Sequence, residues 1–537
     1  MPAHLSSLRS RLVLGAVAIG VLVLVGLSAL HSYSMGHHTR MYDDPVYRWR
    51  ESLAIALSRL QDPPLHRYLA YRSIRDYLAE HGLGLVVGEA KVMPTPEERR
   101  ALTQDTARMN RLIEDASRTP IDRSLAPVTL TGNELGLVDF FYWSFRIFGL
   151  NIRSFVLLYY TALLVSAALF FVTFWRSPFC LLLLLLYLAA HDFAVHYADI
   201  SQLQTVHNSR FFPVLSLLPA MHLLLLLVRG APPSLINIAA AAVQTFLLFF
   251  VLFCRNQAFW QVFAILAAAP VAVKLGPLWN ALPRPSLWPA AVKEGVRNTW
   301  AALLVLCGLF GYMAYNKYAP DPQYYGMETE GHVFWHAIYT EMISADPELM
   351  ARYGYGLQPH TDALGHLSVL YDLRGRNEAP KDLAKVVDGV LNIDVLKGTA
   401  EFDASLRRIF FDVLAEHPWL VMRSFLLGKF VAQYRILRGI PLLREPYTYV
   451  GSLAMALGAI VLALMAGLAP PGRIHIRRGL MVLIVVVIFS FMTTFLVPSD
   501  KIPDVLTFYV LLGLLGAVYL PLLLLRFGIS ANDRREE

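Results

Sequence analysis

The run IRSFVLLYYTALLVSAALFFVTF at residues 152–174 decides the fold of this chain. It is apolar over the roughly 20 residues that a helix needs to cross a bilayer. A second run, FCLLLLLLYLAAHDFAVHY at 179–197, follows after only a short segment that contains Arg176. The two runs predict successive membrane-spanning helices joined by a short turn.

The composition of the whole chain agrees with this prediction. Of the 537 residues, 56% are hydrophobic and 16% are charged, whereas soluble domains are about one quarter charged. A single water-soluble globule and a disordered chain are therefore both excluded. The basic residues behind the net charge of +7 fall in short segments between apolar runs, so they do not indicate nucleic-acid binding. The three cysteines lie inside apolar runs and predict no disulfide framework.

The sequence predicts an all-α polytopic membrane protein with about ten transmembrane helices and two long extracytoplasmic helical segments. The predicted spans are 12–31, 152–174, 179–197, 211–228, 234–254, 257–274, 299–317, 447–469, 479–497 and 503–525. The predicted divisions are a signal-anchor helix at 1–31, a first outer segment at 32–150, spans at 151–317, a second outer segment at 318–446, spans at 447–526 and a tail at 527–537.

Lysine and arginine in the short loops set the orientation, since they favour the cytoplasmic side. Arg9 and Arg11 precede the first span, which places the N-terminus in the cytoplasm. Alternation of the ten spans then gives every predicted inside segment positive charge and also places the C-terminal tail in the cytoplasm. Both long segments lie outside. The first reads as amphipathic helices at 45–60, 65–81, 97–116 and 134–148 that are punctuated by prolines, and the second ends in an interfacial helix at 417–437.

Asp43 and Asp44 form the first candidate site, shortly after the first span. Asp44 precedes Pro45, and an aspartate followed by proline is a good start for a helix. Asp43 has no such structural duty. We therefore interpret Asp43 as a candidate general base that takes a proton from an acceptor hydroxyl.

The end of the 179–197 run holds the second candidate site. Ionisable residues in an apolar span are functional candidates, and Asp192 and His196 are spaced to share one helix face that Asp199 continues. A hydrogen-bonded helix end at the outer interface explains the same residues equally well. Arg210 opens the next span, where it is a candidate phosphate ligand or an ordinary interfacial anchor.

Two further groups complete the candidates. His332 and His336 are four residues apart, a spacing that metal ligands use, but two histidines alone favour a structural or substrate-contact role, so no metal ligands are assigned. Arg255 and Arg423 lie on the predicted outer side, where each can meet a lipid phosphate or extend toward lipid headgroups.

Together these features resemble the GT-C class of membrane glycosyltransferases. The resemblance rests on the early acidic pair in a long outer segment and on an aromatic helix that leads into the second span. The stretches that carry it are 136–149, 254–257, 331–339 and 402–429. It covers roughly residues 30–440 and is architectural.

The resemblance implies an inverting transfer of sugar from a polyprenyl-phosphate-linked donor to a lipid, glycan or protein acceptor at the outer face. Asp43 maps to the catalytic base with Asp44 beside it, and Asp199 or Asp192 to a second acid. The implied partners are the lipid-linked donor and membrane lipids, with no nucleic acid. No cofactor is fixed, although a diphosphate donor would call for a divalent metal. The implied location is a bacterial inner membrane.

Two other classes compete with this interpretation. An O-antigen-ligase-like or polymerase-like enzyme would use His332, His336 or Arg423 in the second outer segment instead of Asp43. A transporter or a non-enzymatic envelope assembly protein is the alternative outside enzymes. A transporter predicts charges at the bilayer midplane and an internal repeat, and the sequence shows few such charges and no repeat.

Overall fold

A computed structural model describes fifteen stretches of the chain. They are 15–30, 46–63, 68–83, 105–125, 127–129, 135–200, 212–229, 231–255, 258–272, 286, 288–319, 334–357, 359, 363–373 and 400–428. Almost all of the secondary structure in them is helical. The predicted spans 447–469, 479–497 and 503–525 lie outside the described residues.

The described part of the predicted first outer segment contains four α-helices and one small sheet. Helix α1, Gly15–Leu30, precedes this segment. The elements of the segment are α2 Val46–Gln61, β1 Leu69–Ala70, α3 Arg72–Leu78, α4 Thr106–Arg118, β2 Val128–Thr129 and α5 Leu135–Phe148. The helix predicted at 65–81 is wrong in its first half, because Leu69 pairs with Thr129 in an antiparallel ladder. Helix α3 then continues as a π-helical turn, Ala79–Leu83. Asp105 accepts a hydrogen bond from the Arg108 amide, so α4 begins later than the predicted residue 97.

The membrane-type helices follow in the order in which the sequence predicts them. They are α6 Ser154–Phe174, α7 Pro178–Ile200, α8 Phe212–Arg229, α9 Leu235–Cys254, α10 Phe259–Ala272 and α11 Trp288–Tyr318. With α1, each of the first seven predicted spans falls on one helix. Ser234 fixes the start of α9, since its hydroxyl accepts from the Asn237 amide.

Three helices in the described part are long and apolar enough to cross a membrane: Ser154–Phe174, Leu235–Cys254 and Thr299–Tyr318. Four shorter apolar stretches accompany them: Gly15–Leu30, Leu183–Asp192, Phe212–Leu227 and Phe259–Pro270. This set fits an all-α membrane protein, but it does not reach the predicted count of ten spans. The difference has two sources, since four helices have short apolar stretches and three predicted spans fall outside the described residues.

One hydrophobic core joins the membrane-type helices to the first outer segment. Helix α5 crosses α9 so closely that a Cβ added at Gly136 would lie 2.3 Å from the Phe253 carbonyl carbon. The Cys254 thiol donates to the Gly136 carbonyl at the same crossing. Glycine at 136 therefore lets α5 lie directly against the end of a span.

The second outer segment forms a separate hydrophobic core. Its helices are α12 Phe334–Ala345, α13 Pro347–Tyr353, α14 Ala363–Leu373, α15 Ala400–Glu416 and α16 Pro418–Arg423, and α16 continues as a π-helical turn, Ser424–Gly428. The helix predicted at 417–437 is thus confirmed at its start, and the residues after 428 lie outside the described part. Ser424 donates its hydroxyl to the Met342 carbonyl, which ties α16 to α12.

Candidate functional site

Asp139 is the only acidic residue of helix α5, and it lies at the centre of a buried polar network. Arg59 on α2 donates from Nη1 to Asp139 Oδ1 at 2.7 Å. The Tyr68 hydroxyl donates to Oδ2 at 2.8 Å, and the Tyr315 hydroxyl lies 3.2 Å from the same oxygen. Three residues, all at least 71 positions from Asp139 in the sequence, therefore meet at its carboxylate.

The guanidinium of Arg59 contacts two residues on one face of α5. Asp139 and Tyr142 are three residues apart, so both lie on the face of α5 toward Arg59. The guanidinium carbon lies 3.7 Å from the centre of the Tyr142 ring, which adds a cation–π contact to the ion pair. Only Nη1 of Arg59 has a hydrogen bond among the described residues. Within that part of the chain the other N–H groups are available to an anion.

The two tyrosines share their protons with Asp139. Their hydroxyl oxygens lie 2.9 Å apart, so two phenolic protons serve three short oxygen–oxygen contacts. Burial and the neighbouring Asp139 charge raise the pKa of Tyr68 well above its ordinary value. Tyr68 therefore stays protonated and acts as a hydrogen-bond donor, never as a phenolate base.

A cavity of about 810 Å³ adjoins this network, within the range of about 300–1,000 Å³ that is typical of small-molecule sites. Arg59, Asp139 and Tyr315 are among the residues that line it, and nearly all of the others are apolar. It follows α11 from Leu304 to Tyr315 and α9 from Ala242 to Phe253. At 1.5 Å per residue the cavity runs about 16 Å along each span, roughly half of a bilayer's hydrocarbon core.

The cavity opens toward the apolar outer surface of the protein. Four of its lining side chains are large, apolar and exposed: Trp143, Ile147, Val165 and Phe246, at 45%, 57%, 40% and 67% exposure. Val165 and Phe246 lie on helices long and apolar enough to cross a membrane, where exposed apolar side chains would face lipid. The shape suits an amphiphile whose apolar chain enters from the bilayer and whose polar head reaches Arg59.

Several predicted site residues fall where the structure gives no account of their side chains. Asp43, Asp44, Arg210 and His332 lie outside the described residues. His196 and Asp199 belong to helix α7, which ends at Ile200, but only their backbone is described. Their predicted roles stay predictions.

Asp192 and Arg255 are both buried, each 3% exposed. Beside Asp192, the imidazole of His191 lies 2.8 Å from the Tyr159 hydroxyl, and Tyr159 itself lines the cavity. Arg255 ends helix α9 and its amide donates to the Val251 carbonyl. Neither Asp192 nor Arg255 lines the cavity.

The remaining two predicted residues lie among the late helices. Arg423 donates from Nε and Nη2 to both carboxylate oxygens of Asp346, at 2.7 and 2.9 Å, and also reaches Glu348. His336 is 4% exposed, and its ring centre lies 5.5 Å from that of His366. In the described ranges, no three histidine, cysteine, aspartate or glutamate side chains are grouped as metal ligands would be.

Sequence reasoning did not identify Arg59, Tyr68 and Tyr315, and it used Asp139 only as part of the aromatic stretch 136–149. One signal was present: Asp139 is a single carboxylate in a helix of otherwise apolar and aromatic residues, and such residues are functional candidates. The partners have no local signal, because they are 71 to 176 residues away along the chain.

Comparison with known proteins identifies no relative: the chain matches no family model, no curated protein and no solved structure. The fold and the site define the class of an all-α membrane protein with an apolar cavity headed by a charged network. Any narrower assignment rests on the chemistry of that cavity.

Proposed function

We propose that this protein is a membrane glycosyltransferase of the GT-C type, which moves a sugar from a polyprenyl-phosphate-linked donor to a lipid, glycan or protein acceptor at the outer face of a bacterial inner membrane. The observation that carries the proposal is the apolar cavity beside Arg59 and Asp139. A polyprenyl phosphate has the matching two parts, a long apolar chain and an anionic head. The ten-span topology with both termini in the cytoplasm belongs to the same proposal.

The proposed reaction is a single displacement. Asp43 takes the proton of the acceptor hydroxyl, the freed oxygen attacks the anomeric carbon, and the bond from that carbon to the donor phosphate breaks with inversion. The leaving polyprenyl phosphate carries away the bonding electron pair. Arg59 donates its remaining N–H groups to that phosphate, while Asp139 and Tyr142 hold the guanidinium in place and Tyr68 donates to Asp139.

The cavity can be tested by filling it without disturbing the packing. A Cβ added at Gly311 meets nothing within 4 Å, and Gly311 lines the cavity. Gly311→Leu should therefore fold and should weaken polyprenyl phosphate binding by about tenfold or more, since burial of the apolar chain supplies most of the affinity. Gly26→Leu is the matched control, because its site is equally open and does not line the cavity.

Binding is measured with the full chain in detergent, with a polyprenyl phosphate and the corresponding polyprenol as probes. Wild type should prefer the phosphate, and Arg59→Gln should remove that preference. Equal binding by Gly311→Leu and Gly26→Leu would contradict the assignment of the cavity.

Transfer is tested separately in proteoliposomes that contain a panel of polyprenyl-phosphate sugars. Asp43→Asn should abolish release of polyprenyl phosphate and leave lipid binding unchanged. If Asp43→Asn releases polyprenyl phosphate at the wild-type rate, Asp43 is not the base. If Asp43→Asn retains activity and His336→Ala or Arg423→Gln loses it, a ligase-like enzyme is favoured.

A further inference from the structure

A second pocket, of about 330 Å³, lies at the opposite ends of the helices that line the cavity. The lining of the cavity includes Leu158 to Val165 near the start of α6, whereas the second pocket is lined by Thr173 to Ser177 at and just beyond the end of that helix. Arg229, the last residue of α8, and Asn237, in the first turn of α9, complete the same pocket. The pocket is therefore at the membrane boundary on the side away from the Arg59 network.

Two guanidinium groups border this pocket, those of Arg176 and Arg229. Neither forms an ion pair with a carboxylate among the described residues. In the described part of the chain, Arg229 donates only to the Cys180 sulfur at 3.4 Å, a weak acceptor, and Arg176 stacks on its neighbour Trp175. Both side chains are exposed, and both would attract an anion that enters the pocket.

A buried hydroxyl group supplies a further donor. Ser177 is 7% exposed, but its hydroxyl is engaged by Cys180, through the Cys180 amide at 3.5 Å and the Cys180 sulfur. The Thr173 oxygen is buried and has no hydrogen-bond partner in the part of the chain that the structure describes. Two arginines and the Thr173 hydroxyl form a donor set that suits the oxygens of a phosphate group.

We propose that this pocket binds the phosphate headgroup of an anionic phospholipid. The position favours a lipid, because Arg176 lies two residues beyond the end of one apolar span and Arg229 ends another helix, at the level expected for lipid phosphates. Basic pockets between spans bind anionic headgroups by this chemistry. The positive-inside pattern of the sequence predicts that this is the cytoplasmic leaflet. The site does not depend on the proposed transfer reaction.

The test is native mass spectrometry of the full chain, with phosphatidylglycerol as the anionic probe, phosphatidylcholine as the zwitterionic one and inorganic phosphate as a competitor. Wild type should retain one phosphatidylglycerol more tightly than phosphatidylcholine. Each of Arg176→Gln and Arg229→Gln should weaken phosphatidylglycerol binding about fivefold, and the double variant about 30-fold. Arg146→Gln, which removes an exposed arginine outside the pocket, should change nothing.

A variant that misfolds is recognised by a second measurement. Arg176→Lys with Arg229→Lys keeps both charges and should retain most of the binding, and phosphatidylglycerol should raise the melting temperature of wild type but not of the double glutamine variant. Binding by the double glutamine variant equal to that of Arg146→Gln would overturn the proposal. Displacement of phosphatidylglycerol by millimolar inorganic phosphate would overturn the assignment to a lipid and leave a free-phosphate site.

Discussion

Two arginine–aspartate pairs in this molecule have the same shortest N–O distance, 2.7 Å, in different surroundings. Arg59 and Asp139 lie beside a large apolar cavity, with side chains 12% and 10% exposed. Arg423 and Asp346 lie among the late helices, with side chains 36% and 3% exposed. The geometry of an ion pair alone does not show whether the pair belongs to a functional site. The groups that surround each pair distinguish the two.

Asp346 is fully engaged in joining helices. Its carboxylate accepts from the Glu348 and Leu349 amides at the start of α13 and from two nitrogens of Arg423 at the end of α16. Arg59, in contrast, uses one nitrogen on Asp139, and it lines the cavity with its other N–H groups not hydrogen-bonded to any described residue. The first pair holds two helices together, and the second leaves a cation available to a ligand.

Removal of one partner should cost most at the cavity. Asp139→Ala leaves a buried guanidinium without its carboxylate, and we expect the free energy of unfolding to fall by about 3–5 kcal/mol. Chemical unfolding of the full chain in mixed micelles measures this loss.

A paired replacement separates stability from function. Arg59→Met with Asp139→Leu removes both charges, so most of the stability should return while polyprenyl phosphate binding stays lost. If Asp139→Ala costs less than about 1 kcal/mol, the pair behaves as a surface ion pair does and the contrast between the two regions disappears.

A substitution that displaces helix α5 without changing any charge tests whether the Arg59–Asp139 pair depends on the position of that helix. Gly136→Ala places a methyl group against the backbone of Phe253 and Cys254, and overpacking of this kind costs about 1–3 kcal/mol. Asp139 lies one helical turn further on, so lipid binding should weaken as well. Gly26→Ala adds the same methyl group in open space and should leave both unfolding and binding unchanged.

The sequence predicts the helices well and the site poorly, for one physical reason. Apolar runs and caps act over a few residues, so the first seven predicted spans coincide with helices and the start of α9 follows from Ser234. The local sequence pattern places Arg59 on the polar face of an amphipathic helix and Tyr315 among the aromatic residues that are common at the ends of spans. Only the packing of α2, α5 and α11 brings them together. The two-residue ladder of Leu69 with Thr129 is likewise too short to have a period.

The smallest loss of stability should come from a change in the Arg423–Asp346 ion pair, and this loss should depend on pH. The hydrogen bonds from Arg423 hold the pKa of Asp346 below its ordinary value of 3.8. A carboxyl with a lowered pKa in the folded state stabilises the fold above its unfolded pKa and loses that contribution as pH falls through the folded one. Asp346→Asn keeps a good helix-capping residue but removes the charge. It should cost about 1 kcal/mol at pH 7, since Arg423 is one third exposed.

Melting of wild type and Asp346→Asn from pH 7 to pH 3 measures this contribution. The difference in melting temperature should be constant at neutral pH, should begin to shrink as the pH falls below about 4, and should be lost only once the pH passes below the lowered pKa of the folded state. Lipid binding should be unchanged at pH 7, because Asp346 and Arg423 do not line the cavity. A constant difference down to pH 3 would mean that the Asp346 charge adds nothing and that the pair acts only through packing. Loss of lipid binding in Asp346→Asn would instead connect the late helices to the cavity and end the distinction between the two pairs.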